Sequence, residues 1–360
     1  MLKSMSKQDS HERCPLSVSR RHWVTGCSLL AASLSMATWP AMGAPEKPRL
    51  SVVLDDRSSL THWPVLLAEQ LGFFKAEGLT IDFVEQSSEV NAMSALINGS
   101  ADILCAPYDI ALLLKHKGFD AVALAQVART PQWALGISNK HLPYYTSFAD
   151  LQGKRVGVMD TEGSAQRCLS ATLLRSGIKP SQINWVNLSS ALHGMVALRS
   201  GSLDALFASD PLMTALEKKD DVSIFSNFRT LKYTQRVFGG ILPGNSLLVS
   251  QAMVKQHPQT CQSLVNAVVR ALKWVRTAGP SDVLRTMVDS AVLPDRLVYL
   301  NAIDNMRESY SLDGWLSPEA QQSSLRMLVL LDPAMNTLST SLPSTVRNDF
   351  VRLAKQRFHV

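Results

Sequence analysis

The feature that most constrains the fold of this 360-residue chain is a phrase that occurs in it twice. The segments "MSALINGSADILCA", beginning at Met93, and "MVALRSGSLDALFA", beginning at Met195, agree at eight of fourteen positions. Each combines an apolar helix face, a glycine suited to a left-handed helix end, an aspartate and a strand of small apolar residues. The repeat predicts two lobes built on the same helix–turn–strand unit. Because the agreement stops where each strand ends, we expect the binding residues to follow, at 107–109 and 209–211.

The alternation of patterns along the chain predicts the fold class. Strand-like runs such as "RLSVVL" and "ADILCAP" alternate with helical patterns up to about residue 236, which is typical of parallel strands joined by crossover helices. Helical patterns dominate from residue 258 onward, and we expect those helices to return to the first lobe. The sequence therefore predicts an α/β protein with two parallel-sheet lobes joined by a two-stranded hinge. The predicted boundaries are 49–138 plus 240–360 for lobe one, 143–236 for lobe two, and 138–141 and 237–241 for the hinge.

The N-terminal residues 1–43 have the pattern of an export signal. Arg20 and Arg21 precede a stretch of small and apolar residues that contains no Asp, Glu, Lys or Arg before Glu46. The paired arginines predict a twin-arginine signal, cleaved after Gly43 or Ala44. The alternative is an uncleaved membrane anchor, for which the apolar stretch is short. We expect an exported, periplasmic protein.

The overall charge does not indicate a nucleic-acid partner, although it is +6 with a sequence pI near 9.1. Residues 1–43 contribute five basic and two acidic side chains, and the rest of the chain carries a net charge of only +3, without a basic run. The cysteines that follow the signal, Cys105, Cys168 and Cys261, are widely spaced. We expect them to be small buried hydrophobic residues rather than parts of a disulfide framework.

Patterns that carry catalysis or bind metals are missing from the sequence. It contains no Gly-x-Ser-x-Gly, no Gly-x-Gly-x-x-Gly and no P-loop. The six histidines after the signal have no metal-ligand spacing with another histidine or a cysteine. The sequence therefore predicts a protein that is not an enzyme and that holds no cofactor and no metal.

Four motifs, in order, carry a resemblance to a known family: "PVLLAEQLGFFKAEGLTIDF", "ALINGSADILCAP", "FADLQGKRVGVMD" and "LRSGSLDALFASDP". With these motifs, nearly all of residues 49–330 resembles the periplasmic solute-binding proteins of ABC importers. The similarity is to the nitrate, sulfonate, taurine and thiamine-pyrimidine-precursor (NMT1/THI5-like) group. The resemblance implies the type II periplasmic-binding-protein fold, in which two lobes close on a small molecule. It also implies a monomer whose partner is an inner-membrane ABC permease.

The strand ends and this resemblance together select eleven candidate ligand-binding residues: His62, Trp63, Tyr108, Asp109, Arg129, Gln132, Thr161, Gly163, Ser164, Ser209 and Asp210. An indole such as that of Trp63 can stack on a planar ligand, or it can pack within its lobe. Arg129 can pair with an acid group of a ligand, or it can be a surface arginine. The helix start at Ser164 favours an anion or a carbonyl oxygen, and the same serine suits an N-cap. Asp210 also suits an N-cap, and its carboxylate would repel a bare anion.

The predicted function is the capture of a small organic nutrient and its delivery to the permease. The carboxylates of Asp109 and Asp210 and the nearby aromatic rings favour a planar, nitrogen-bearing or aromatic ligand, with a sulfonate next. One alternative is a pyrimidine-synthase-like enzyme of thiamine biosynthesis, for which His62 is suitably placed. That family's cysteine-rich iron-binding run is absent here. The other alternative is a periplasmic sensor subunit with the same fold.

Overall fold

A computed structural model describes residues 43–287 and 295–360, and two five-stranded sheets organise them. The strands within these ranges are β1 (Arg49–Leu54), β2 (Thr80–Glu85), β3 (Ile103–Pro107), β4 (Ala121–Gln126), β5 (Trp133–Ser138), β6 (Arg155–Val158), β7 (Asn184–Asn187), β8 (Ala205–Ser209), β9 (Val222–Asn227) and β10 (Asn245–Ser250). The sheet orders are β2-β1-β3-β10-β4 and β7-β6-β8-β5-β9. These sheets confirm the predicted α/β fold with two lobes.

The helices of the described ranges cover the sheets. They are α1 (Trp63–Gln70), α2 (Phe73–Ala76), α3 (Glu89–Ile97), α4 (Asp109–His116), α5 (Ser164–Arg175), α6 (Ala191–Ser200), α7 (Leu212–Lys218), α8 (Leu231–Phe238), α9 (Gln251–Gln256), α10 (Pro258–Thr277), α11 (Pro280–Arg285), α12 (Arg296–Arg307), α13 (Pro318–Leu331) and α14 (Asn348–Phe358). None of them is long and apolar enough to cross a membrane. The predicted signal, except for Gly43, lies outside the described residues.

The repeated phrase forms the same structure in both lobes. It folds as α3, a turn and β3 in lobe one, and as α6, a turn and β8 in lobe two. The turn glycines, Gly99 and Gly201, have φ values of +76° and +81°, which residues with a side chain rarely adopt. The Asp102 carboxylate accepts the Ser51 N–H at 3.1 Å, and the Asp204 carboxylate accepts an N–H from the start of β6 at 2.8 Å. Each aspartate thus fastens its own strand to the neighbouring parallel strand, so the matched residues are scaffold.

The first lobe boundary was predicted wrongly. The strand β5, which the sequence order assigned to lobe one, lies in the second sheet between β8 and β9 and runs antiparallel to both. In the other sheet, β10 runs antiparallel between β3 and β4. Both sheets are therefore mixed rather than wholly parallel. The error has a physical cause, because a short buried apolar run contains no signal for which of two sheets it joins.

The chain passes between the sheets at residues 127–132 and again at residues 228–244. The first passage precedes the predicted hinge at 138–141, whereas the second contains the predicted hinge at 237–241. The two passages lie side by side: Gly244 donates its N–H to the Ala128 carbonyl at 3.0 Å, and Phe228 donates to the Trp133 carbonyl at 2.9 Å. They approach so closely that a Cβ added to Gly244 would lie 2.3 Å from the Thr130 carbonyl oxygen. The hinge function of these passages stays a prediction.

The C-terminal helices were predicted to return to lobe one, and the structure shows that only some of them do. The helix α10 packs on α1, α2 and β4, and α14 packs on α10 and β4. In contrast, α12 packs against α7 of lobe two, and α13 packs against both α4 and α5. One hydrophobic cluster accordingly contains side chains from both sheets, including Leu104 and Phe207. The C-terminal part therefore braces the two lobes against each other.

Candidate functional site

A cavity lies between the two lobes, where strands of both sheets end. The ends of β1 and β3 form one wall, and the residues that follow β6 and β8 form the other. This is the edge at which open α/β sheets bind ligands. The cavity has a volume of about 110 Å³. A single water needs on the order of 10–15 Å³, so the space suits a small organic molecule.

Apolar and aromatic side chains make up much of the cavity wall. Leu104 and Ala106 contribute from β3, and Phe207 and Ala208 contribute from β8. The Trp133 ring also lines the cavity, and its centroid lies 6.0 Å from that of Phe207. A wall of this kind favours a ligand with a flat apolar part.

The polar part of the lining is strongly acidic. Five carboxylates line the cavity, while no lysine or arginine of the described residues does. The carboxylates belong to Asp55, Asp56, Glu89, Asp160 and Asp210. The lining histidine, His62, is the one side chain of this lining that can become cationic near neutral pH.

His62 connects a carboxylate to a thiol. Its Nε2 contacts the Asp55 carboxylate, while its Nδ1 lies 3.4 Å from the Cys105 sulfur and 3.1 Å from the Asn245 side-chain nitrogen. Burial of the ring opposes protonation, but the negative charge of Asp55 and the contact with Cys105 outweigh it and raise the pKa of His62 to about 10. The imidazolium charge is therefore matched by the carboxylate beside it.

Asp210 is paired in the same way. Its carboxylate lies 3.0 Å from the buried Arg229 guanidinium and also accepts the Thr214 N–H at 2.8 Å. Its carbonyl accepts the Leu60 N–H of lobe one at 2.9 Å. Asp210 therefore binds α7 and lobe one, and its charge is compensated by Arg229. The N-cap role that the sequence allowed for Asp210 agrees with this geometry, because its carboxylate accepts an N–H from the first turn of α7.

Four side chains form a buried connection between the lobes, which we call the Arg167 cluster: Glu89, Asp109, Ser164 and Arg167. Arg167 of α5 contacts the carboxylates of Glu89 and Asp109 of lobe one, each at 2.7 Å. Ser164 donates its N–H to Glu89 at 2.8 Å, and its hydroxyl contacts both carboxylates. Burial raises the pKa of Glu89 even though Arg167 lowers it. The helix start at Ser164, predicted to favour an anion, thus already holds a carboxylate of this chain.

Two further contacts join the walls of the cavity. Asp160 accepts the N–H of Glu89 from the opposite lobe at 2.8 Å. The hydroxyls of Ser59 and Ser209, also from opposite lobes, lie 2.9 Å apart. Gly163 lines the cavity next to Asp160, where an added Cβ would lie 2.9 Å from the Cβ of Asp160. These contacts describe lobes that are closed against each other.

The structure brings five of the eleven predicted residues to the cavity wall: His62, Gly163, Ser164, Ser209 and Asp210. Asp109 lies behind that wall in the Arg167 cluster. The other five lie outside the lining, and they are Trp63, Tyr108, Arg129, Gln132 and Thr161. No ligand contact can be assigned to those five in this closed arrangement.

The predicted aromatic residues, Trp63 and Tyr108, are core residues. Trp63 packs in the lobe-one core against the rings of Trp274 and Tyr310. Tyr108 is fully buried, and its hydroxyl lies 2.6 Å from that of Thr345. Tyr108 directly follows β3 and Trp63 begins α1, and both side chains are buried. For Trp63, packing within its lobe rather than stacking on a ligand describes the structure.

The predicted polar residues outside the lining have partners in the protein. Arg129 donates to the Glu308 carbonyl at 3.0 Å, and Gln132 donates its side-chain N–H to the Ser309 hydroxyl at 2.7 Å. Both contacts brace the first passage between the lobes. Thr161 donates its N–H to the Asn187 side chain at 3.2 Å. All three residues are therefore placed beside the site rather than in it.

Sequence reasoning missed most of the acidic lining. Asp55 and Asp56 directly follow β1, and Asp160 comes two residues after β6, so the strand-end rule that selected Tyr108 also selects them. Glu89 begins a helix four residues after β2 and had no such signal. The three free cysteines, in contrast, were predicted correctly, because all of them are buried.

Comparisons with known proteins agree with this geometry. The family model described as "NMT1/THI5 like" matches residues 59–280. The chain belongs to the NMT1/THI5-like family. A putative binding protein, YtlA of Bacillus subtilis (strain 168), is 22% identical over 262 residues, which are 70% of this chain and 74% of that protein.

Solved structures show the same fold. A protein of Bordetella bronchiseptica RB50 has a TM-score of 0.83 and 31% identity, covering 88% of this chain and 99% of its own. The alkanesulfonate-binding protein SsuA of Xanthomonas axonopodis pv. citri, bound to MOPS, has a TM-score of 0.63 and 20% identity, covering 85% and 97%. The predicted resemblance to solute-binding proteins of ABC importers is therefore confirmed.

The match to enzymes is shorter. A 4-amino-5-hydroxymethyl-2-methylpyrimidine phosphate synthase of Uromyces fabae is 25% identical over 118 residues, which are 33% of this chain and 34% of that enzyme. Neighbours that are named as binding proteins match over most of their length. The synthase alternative is not favoured.

Proposed function

We propose that this chain is the extracytoplasmic receptor of an ABC importer, which captures a small organic nutrient between its lobes and delivers it to an inner-membrane permease. The observation that carries the proposal is the cavity, whose wall is made by both lobes and whose rim is joined by hydrogen bonds across them. A ligand held there would contact both lobes at once, and it would stabilise the closed arrangement that a permease can recognise. The protein acts as an exported, periplasmic monomer in this proposal.

The ligand class follows from the lining. The rings of Trp133 and Phe207 favour a planar molecule, and the carboxylates favour nitrogen-bearing groups that donate hydrogen bonds. A sulfonate is the second candidate, since SsuA binds MOPS on the same fold. It is less favoured because the N–H of Ser164, which could hold an anion, donates to Glu89.

A ligand screen tests the receptor proposal. Pyrimidines, aromatic amines, sulfonates, nitrate and aromatic acids are screened for a rise in melting temperature, because a ligand that binds only the folded protein stabilises it by mass action. Ala208→Phe, which fills the cavity, should abolish the shift. Ala149→Phe, at an exposed position of the same lobe, should leave it intact.

The outcomes separate the alternatives. A compound that is converted to product by the protein would replace the receptor proposal with the enzyme. A ligand that binds equally well to Ala208→Phe would place binding outside the cavity and refute the proposal. Neighbouring genes for a sensor kinase, rather than for a permease and an ATPase, would favour the sensor subunit.

A further inference from the structure

We infer that the ligand of this cavity carries a positive charge, such as an ammonium or amidinium group, which lies between Glu89 and Asp160. The inference rests on the proposed receptor function and names the substrate class of the same site. The cavity itself defines the site, and the charges of its wall define what the site can hold. The solved neighbour SsuA binds an alkanesulfonate, so the inference assigns the opposite charge to the ligand of this chain.

Two of the five lining carboxylates have their own cation. Asp55 is paired with His62, whose high pKa keeps it protonated at neutral pH. Asp210 is paired with Arg229, which is buried just outside the lining. Neither pair offers a net charge to a ligand, and neither His62 nor Arg229 is free to bind an anion.

The remaining carboxylates exceed the cations around them. Glu89 shares Arg167 with Asp109, so two carboxylates meet one guanidinium. Asp160 and Asp56 have hydrogen-bond donors but no cationic partner among the described residues. The wall therefore carries a surplus of negative charge in a partly closed space.

Such a surplus opposes closure unless something balances it. Desolvating a carboxylate without a counter-charge is costly, and that cost increases as water leaves the cavity. A ligand cation would supply the missing charge as the lobes close. An anion would add to the surplus, since no lysine or arginine of the described residues lines the cavity.

The position between Glu89 and Asp160 is favoured by their placement. They belong to opposite lobes, and the Asp160 carboxylate accepts the N–H of Glu89 at 2.8 Å. A cation there would be held by both lobes at once. Trp133 and Phe207 line the same cavity and suit the flat or apolar remainder of an organic cation.

The test is a binding screen grouped by charge. The probes are small amines and amidines, neutral nitrogen heterocycles, and sulfonates and carboxylates of similar size. We expect the tightest binder to be cationic. Asp160→Asn and Glu89→Gln should weaken its binding by roughly 10- to 100-fold, which is the range for losing one charge-assisted hydrogen bond.

Matched variants control for folding and closure. Glu162→Gln removes an exposed carboxylate two residues from Asp160 and should leave the dissociation constant unchanged. Asp56→Asn removes a lining carboxylate whose hydrogen bonds go to Ser58 of its own lobe. It should weaken cation binding in a protein whose melting temperature matches the parent, which separates a loss of charge from a loss of fold.

The results distinguish this inference from the receptor proposal. If a sulfonate or a neutral compound binds most tightly in the cavity, the receptor proposal stands and the charge inference is overturned. The receptor proposal also stands, and the charge inference is also overturned, if a cation binds with unchanged affinity to Asp160→Asn, Glu89→Gln and Asp56→Asn. If no probe of any charge binds, both proposals fail together.

Discussion

Replacing Arg167 should cost far more stability than replacing a surface arginine in the same lobe. The Arg167 side chain is 15% exposed, and its partners Glu89 and Asp109 are 12% and 4% exposed. Arg167→Met leaves two carboxylates facing each other without a cation. Breaking a buried ion pair in this way costs about 3–5 kcal/mol, and the low exposure of all three side chains supports the full range.

Arg199→Met is the matched control. Arg199 also pairs with one aspartate of its lobe, Asp221, at 2.8 Å, but its side chain is 45% exposed. Exposed pairs contribute about 0.2–1 kcal/mol. Urea unfolding at neutral pH should therefore separate the two variants by at least about 2 kcal/mol in the free energy of unfolding.

The pH dependence of the stability of these two variants provides a second test of the buried-charge argument. Without Arg167, the folded state raises the pKa of the carboxylate pair above the unfolded value near 4.3. The folded protein then binds more protons than the unfolded chain, so its stability rises as the pH falls toward that value. The loss in the free energy of unfolding caused by Arg167→Met should become smaller as the pH falls from 7.5 to 5. The loss caused by Arg199→Met should not change in this way. Equal losses in the two variants, or a deficit independent of pH, would refute the buried-charge argument.

Three other variants probe the site and the passages between the lobes. The pKa of His62, raised to about 10 by Asp55, should keep its ring protonated in an NMR titration through pH 8. Its contribution to stability is fully present below the unfolded value of 6.5 and is lost progressively as the pH rises from there to about 10. Asp55→Asn should lower this pKa, and a parent ring that titrates near 6.5 would contradict the assignment. Gly244→Ala should lower the free energy of unfolding by about 1–3 kcal/mol, because its Cβ has no room. Gly240→Ala, whose Cβ would meet only the Ser323 hydroxyl, at 3.1 Å, should cost about 0.5 kcal/mol or less in the same urea assay.

The repeated phrase allowed much of the fold to be predicted, because it combines several local signals that agree. The turn glycines, the aspartates that follow them and the apolar strands all act within a few residues of each other. The assignment of β5 failed because strand exchange between sheets is decided by long-range pairing. A six-residue run with five buried residues is compatible with either sheet.

The site was harder to predict than the fold. The strand-end rule places a residue at the correct edge but does not say where its side chain points. Tyr108 and Asp109 are adjacent, yet one packs in the core and the other contacts Arg167. Arg167 itself lies in the interior of a helix pattern, where an arginine is usually a solvated residue, and only its distance to the opposite lobe reveals its role.

Because the two passages between the lobes lie side by side, lobe two is a single continuous insertion into lobe one. Ala134 and Asn227 are paired across β5 and β9, so the chain enters and leaves the second sheet at neighbouring points. In topological terms, residues 133–227 are an insertion into a loop of lobe one, and insertions with adjacent ends are the kind that domains accept most readily. We therefore expect that lobe two can be exchanged with that of a relative by two cuts at this junction. Such chimeras would move one wall of the cavity, with its own binding residues, onto an unchanged partner wall.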